Sequence, residues 1–221
     1  MNSKKLWLHL LLILAVTAGC SSSGDDTPGT PSTPDTAPEY TARGWQYFES
    51  DHYGDALADF NEALVLMPGY GQALGGKGWS ELKLAENSSD LTTAVASFEA
   101  AISAGEDGSY VTAGLASARL ALGGSHLVTA DNLALSIVTN DPNFVFSHQT
   151  SINRTDMVLI AAFAMAASGQ FSDALYRADL IEDSGIEADD PATWEVSGTS
   201  YTQYNAAVLA RLYQLSELYS G

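Results

Sequence analysis

Cysteine is all but absent from this chain of 221 residues, where Cys20 stands alone. One thiol excludes a disulfide framework and leaves no second sulfur for a CxxC redox or zinc site. Basic residues are scarce as well: 9 Lys and Arg stand against 27 Asp and Glu, a formal net charge of −18. Phosphate binding needs a cationic face, so nucleic acid is set aside as a partner. Long apolar runs are missing. The run from Leu6 to Val16, interrupted by His9, is about half of the roughly 20 residues a membrane-crossing helix requires. No HxxxH or HExxH pair exists to put two metal ligands on one helix face, and no alternating apolar run argues for strands.

What is present falls into three parts. Lys4 and Lys5 precede the short apolar run, and Ala18-Gly19 lead to Cys20 and then Ser21-Ser22-Ser23. A basic start and a short apolar middle belong to a secretory signal. With the lone Cys at this place, the segment resembles a bacterial lipoprotein signal, although Thr17 stands where such signals usually carry an apolar residue. The resemblance implies that residues 1–19 are removed and that Cys20 is lipidated as the new N-terminus. Several acyl chains hold a protein on a membrane stably, so it also implies a lipid-anchored protein of the bacterial cell envelope. Ser21 fits sorting to the outer membrane, with the domain facing the periplasm. Anionic headgroups repel so acidic a chain, and lipid rather than charge has to hold it there.

Residues 20–38 follow as a lipidated Cys and a tether with Pro28, Pro31, Pro34 and Pro38 but no large apolar side chain. Such a segment cannot offset its ordering entropy. It reaches about 25 Å as a coil and about 55 Å as extended polyproline. Thr36, Pro38 and Glu39 then read as a helix start of the capping-box kind.

From 39 to 221 the pattern is helical. Ala56, Phe60, Ala63 and Leu64 recur along one helix face, and Gly44-Trp45 recurs 34 positions later as Gly78-Trp79. Tyr40, Gly44, Tyr47, Tyr53, Ala56, Phe60, Ala63 and Pro68 resemble one complete tetratricopeptide repeat, a helix-turn-helix unit with that period. Arg43 departs from it, standing where the family usually has an aliphatic residue. Later units keep the landmark alanines Ala94, Ala130 and Ala174, with insertions in the turns and between Asn143 and Arg154. A last helix from about Tyr201 to Tyr219 carries Tyr204, Val208, Leu212, Leu215 and Tyr219 on one face, suited to covering the end of a stack. The expected fold is all-α: a right-handed α-solenoid of about four tetratricopeptide-like helix pairs with a C-terminal capping helix.

Chemistry is harder to find. Gly71 to Gly78 reads GQALGGKG, near the phosphate-binding GxxxxGK[ST]. It has Gly78 in place of the hydroxyl and lies inside a repeat helix, where small residues serve close packing. His52, His126 and His148 fall in turns and a linker, with Ser147 beside the last. Glu182, Asp183, Glu187, Asp189, Asp190 and Glu195 crowd a late loop, either as a solvated run or as oxygen ligands for a cation. Asp55, Asp59 and Glu62 read as a solvated helix face. Neither a cofactor nor a catalytic group is implied.

The resemblance implies a binding groove lined by the first helix of each unit. By position, Trp45 and Phe48, Trp79 and Leu82, Arg119, and Phe163 would line it, unless the aromatics pack between repeats instead. Trp and Arg dominate binding hot spots. The function expected is that of a membrane-anchored scaffold for a protein or peptide partner, without catalysis. The alternative is a small-ligand lipoprotein whose tryptophans stack on a glycan or a peptidoglycan fragment.

Overall fold

The structure, a computed structural model, describes residues 36–219. Cys20, the signal segment and the tether up to residue 35 lie outside the described residues. Helix α1 (Ala37–Glu49) opens on the expected capping box. Thr36 Oγ1 accepts from Glu39 N at 3.4 Å, and Glu39 Oε2 accepts from Thr36 N at 3.0 Å. Residues 36–38, read from sequence as tether, therefore form the cap and first turn of the helix. Helix α2 (Tyr53–Leu66) ends at Met67, where Pro68 and a left-handed Gly69 (φ +86°) turn the chain. Then come α3 (Gly71–Leu84), α4 (Ser88–Ser103), α5 (Ser109–Leu122), α6 (Leu127–Asn140), α7 (Arg154–Ala167), α8 (Phe171–Ala178) and α9 (Tyr204–Tyr219). Among the described residues the strands are one small antiparallel pair, β1 (Glu195–Val196) with β2 (Thr199–Ser200).

The protein is thus mostly helical. Each helix from α1 to α8 packs on its successor, and α1, α3, α5 and α7 touch in that order; α9 lies on α7 and α8. The buried landmark alanines Ala56, Ala94, Ala130 and Ala174 all sit on even-numbered helices. Helix α9 starts three residues later than the sequence suggests, and Val208, Leu212 and Leu215 are buried while Tyr219 is exposed.

Phenylalanine wedges explain the spacing of the glycines. The ring of Phe60 on α2 enters between Gly44 of α1 and Gly76 of α3: a Cβ on these would lie 2.9 Å and 2.3 Å from it. Phe98 on α4 repeats the arrangement with Gly78 of α3 and Gly114 of α5, at 2.8 Å and 2.2 Å. Gly44 and Gly78 therefore meet equivalent rings. Glycine inside a helix costs about 1 kcal/mol against alanine, and α3 carries Gly71, Gly75, Gly76 and Gly78. An overpacked Cβ costs about 1–3 kcal/mol, so the wedge outweighs propensity. The GQALGGKG stretch lies wholly within α3, with Gly71 facing Glu106 and Gly75, Gly76 and Gly78 facing Tyr110, Phe60 and Phe98.

Charge is also used inside the stack. Arg43 Nε and Nη2 donate to Asp59 Oδ2 and Oδ1, both at 2.6 Å, joining α1 to α2. That accounts for the unusual Arg43. It also corrects the reading of Asp59 as part of a solvated face, since this carboxylate is 5% exposed; Asp55 and Glu62 do face solvent. Arg177 of α8 binds both oxygens of the buried Asp131 on α6, at 3.1 Å and 3.3 Å.

Candidate functional site: an aromatic face under its own strap

Trp45 and Phe48 on α1, Trp79 on α3 and Tyr110 on α5 form one row of rings, because the helices that carry them touch in sequence. Trp45 meets Phe48, Phe60 and Tyr110 edge-on, with centroids 5.4, 5.1 and 6.1 Å apart. Trp79 Nε1 donates to the carbonyl of Tyr110 at 3.1 Å, which fixes the indole. Gly75 leaves room for Tyr110: its Cβ would stand 2.8 Å from the phenolic oxygen. Burial and the nearby Glu106 carboxylate push the Tyr110 phenol up.

Residues 141–153, which join α6 to α7, lie across this row as a strap. Phe146 stacks on Trp79 (4.6 Å, 18°) and lies parallel to Tyr110 (6.0 Å, 6°). It also meets Trp45 and Phe48 edge-on at 5.9 Å and 6.0 Å. His148 stacks on Trp45 at 4.0 Å and 4°, and its Nδ1 lies 2.7 Å from Glu49 Oε1 at the end of α1. Alternate residues turn inward: Phe144 and Phe146 are buried, while Val145 between them is 52% exposed. Turns at 142–143 and 147–148 flank these three residues, and Val145 bridges antiparallel to Asn153 at the end of the strap.

This geometry revises the expectation of an open groove. Trp45 is 8% exposed and Trp79 0%, and Phe48 and Leu82 are buried as well. Four of the six expected groove residues therefore sit under the strap or in the adjoining core. Phe163 is elsewhere, buried in a second core with Tyr213 of α9 at 6.0 Å. Arg119 is turned to other partners: its Nη2 pairs with Glu99 of α4 and its Nη1 lies 3.1 Å from His126 Nδ1. The physical reason is one of numbers. An exposed row of two tryptophans and two further rings is a large apolar area, and each ring gains about 1.5–3 kcal/mol by leaving water. Phe144, Phe146, His148, Glu49 and Tyr110 were not expected from the sequence, although Phe144, Phe146 and His148 alternate visibly.

Several of the other candidate groups are engaged in structure. In the acidic loop, Asp190 Oδ1 accepts from Ala192 N at 3.0 Å, and the carbonyl of Glu187 accepts from Trp194 Nε1 at 2.7 Å. Arg211 on α9 reaches Glu182 Oε2 at 2.9 Å and Gln214 Oε1 at 2.7 Å, tying the loop to that helix. Beside this pair lies a polar cavity of ≈ 200 Å³. Among the described residues no group of three or more His, Cys, Asp or Glu converges to hold a metal ion, and no helix is long and apolar enough to cross a membrane. Two titrating groups are displaced. Burial lowers Lys83 to about 8, and its Nζ is buried without a hydrogen-bond partner, 5.7 Å from the Tyr53 ring. Burial raises Asp156 to about 6 against the hydrogen bonds of the α7 cap, one of them from Asn153 N at 2.8 Å.

No family model matches the chain, and no curated protein matches it.

Proposed function

We propose that this chain is a lipid-anchored scaffold of the bacterial envelope that binds a protein or peptide partner and performs no catalysis. The helix pairs are read as tetratricopeptide-like units in a right-handed α-solenoid, with α9 as the cap and the face of α1, α3 and α5 on its inner side. One observation carries the reading: that face already holds a segment of chain, with Phe146 stacked on Trp79 and His148 on Trp45. Extended peptides are likewise bound through pockets that take every second residue. Anchorage rests on the resemblance around Cys20. The occupant seen on Trp45 and Trp79 is a piece of protein chain, through His148 and Phe146; the protein-binding reading is therefore preferred to a glycan.

The test is site-specific photo-cross-linking in the native host. A cross-linker at Val145, exposed on the strap, is expected to give one discrete protein adduct. One at Val65, 73% exposed on α2, is expected to give none. Equal adducts from both, or none from either, would remove the scaffold reading. Metabolic labelling with a fatty acid tests the anchor, and label that survives Cys20→Ala would defeat it.

A further inference from the structure

We propose that the strap is a removable cover, and that the face of α1, α3 and α5 accepts a partner segment with an aromatic residue and a basic residue two positions on. This rests on the scaffold reading above and deepens it, because it names the partner's chemistry and the competitor already in place. Phe146 and His148 supply the template, the one stacked on Trp79 and the other on Trp45. The basic position follows from Glu49, half exposed at the end of α1 and paired with His148. A chain of formal charge −18 favours a cationic partner over another acidic one.

Three features allow the strap to leave. First, its backbone–backbone hydrogen bonds run within the strap or to the helices it joins. Phe144 N donates to Asp141 O, Phe146 N to Ile152 O, Gln149 N to Phe146 O, Ile152 N to Gln149 O, and Arg154 N to Phe144 O, all between 2.8 and 3.0 Å. Among the described residues, none of the strap's backbone–backbone hydrogen bonds reaches α1, α3 or α5, so it leaves the face without breaking a backbone bond to it, and so small a hairpin does not hold its own bonds once lifted. Buried backbone groups left unpaired on the face would otherwise forbid its leaving. Second, the fit is incomplete: Gln149 Oε1 is buried without a hydrogen-bond partner, a penalty that lifting relieves. Third, the stack beneath is held by its own devices, the Phe60 and Phe98 wedges and the Arg43–Asp59 pair, which do not involve the strap. What lifting loses is the apolar cover over Trp45 and Trp79. Only a ligand presenting similar rings replaces it, and that sets the specificity.

The test uses a fluorescent peptide of residues 141–153 and the full chain in detergent, read by anisotropy. The chain with Phe144→Ala and Phe146→Ala is expected to bind the peptide at least tenfold more tightly than the unaltered chain. A peptide with both phenylalanines replaced by alanine is expected not to bind. Equal binding by both chains, or no binding by the folded variant, overturns the proposal. Should the variant fail to fold, hydrogen exchange on the unaltered chain decides. The amides of Phe146 and Ile152 are expected to exchange through an opening smaller than global unfolding, and exchange only with the helices of the face overturns it. A dimer formed by exchanging straps, seen by light scattering, would make the occupant a second copy and also overturn it. Retention of the Val145 adduct after any such failure leaves the scaffold reading standing, so the two fail separately.

Discussion

His148 lies flat on Trp45, ring centroids 4.0 Å apart, while its Nδ1 meets Glu49 across 99 positions of sequence. A stacked ring pair contributes about 0.5–1.5 kcal/mol, and a solvent-exposed pair no more than about 1 kcal/mol. His148→Ala is therefore expected to cost about 1–2 kcal/mol, and Glu49→Gln close to nothing. Thermal unfolding checks this, and the Trp45 emission should rise and shift as the stack is lost. A cost above about 4 kcal/mol for His148→Ala would make the residue part of the core rather than a clasp.

The wedges give a sharper contrast between two glycines. A Cβ at position 76 would stand 2.3 Å from the Phe60 ring, whereas position 54 has nothing within 4 Å. Gly76→Ala is expected to destabilise by about 1–3 kcal/mol. Gly54→Ala, in the first turn of α2, should be neutral or stabilising by up to about 1 kcal/mol. Denaturant midpoints at constant slope measure both, and the same sign for the two would refute the wedge.

Asp156 sets a pH dependence. Its folded value of about 6 lies above the ordinary 3.8 because burial opposes the charge. The folded chain then holds more protons than the unfolded one between these values, so stability from this group is present in acid and declines as pH rises through about 6. Asp156→Asn should remove that decline from the stability–pH curve between about 4 and 6. An unchanged curve would refute the assignment.

Lys83 acts in the opposite sense. Its value is lowered to about 8, so its contribution is present above the unfolded value and declines as pH falls through about 8. Removing a buried, unpaired donor gains about 1–3 kcal/mol. Lys83→Met is expected to raise the melting temperature at pH 7 by about 2–10 °C for a chain of this size. A lowered melting temperature would show that the ammonium over Tyr53 is a net support.

The helical part of the molecule was legible because its signals are local or periodic. Thr36 and Glu39 cap within three residues, and Gly44 and Gly78 recur because each must admit the phenylalanine of its own second helix. The strap was not legible for the opposite reason. Its partners Trp45, Glu49, Trp79 and Tyr110 are spread over three helices, and no spacing rule links them to residues 144–148. The 34-residue recurrence singled out Trp45 and Trp79 together, but it could not say that the same chain would cover them. Asp59 was misread because a carboxylate on a helix face looks solvated until its partner, Arg43 on another helix, is known.

The long span between Glu49 and His148 also orders events in time. On the growing chain α1, α3 and α5 are complete before residues 144–148 exist, so the bare ring row is a hazard of synthesis. Closing so distant a contact is slow compared with pairing neighbouring helices, and transient apolar surface invites aggregation. A released chain truncated near residue 125 should accordingly be the form that chaperones grip hardest.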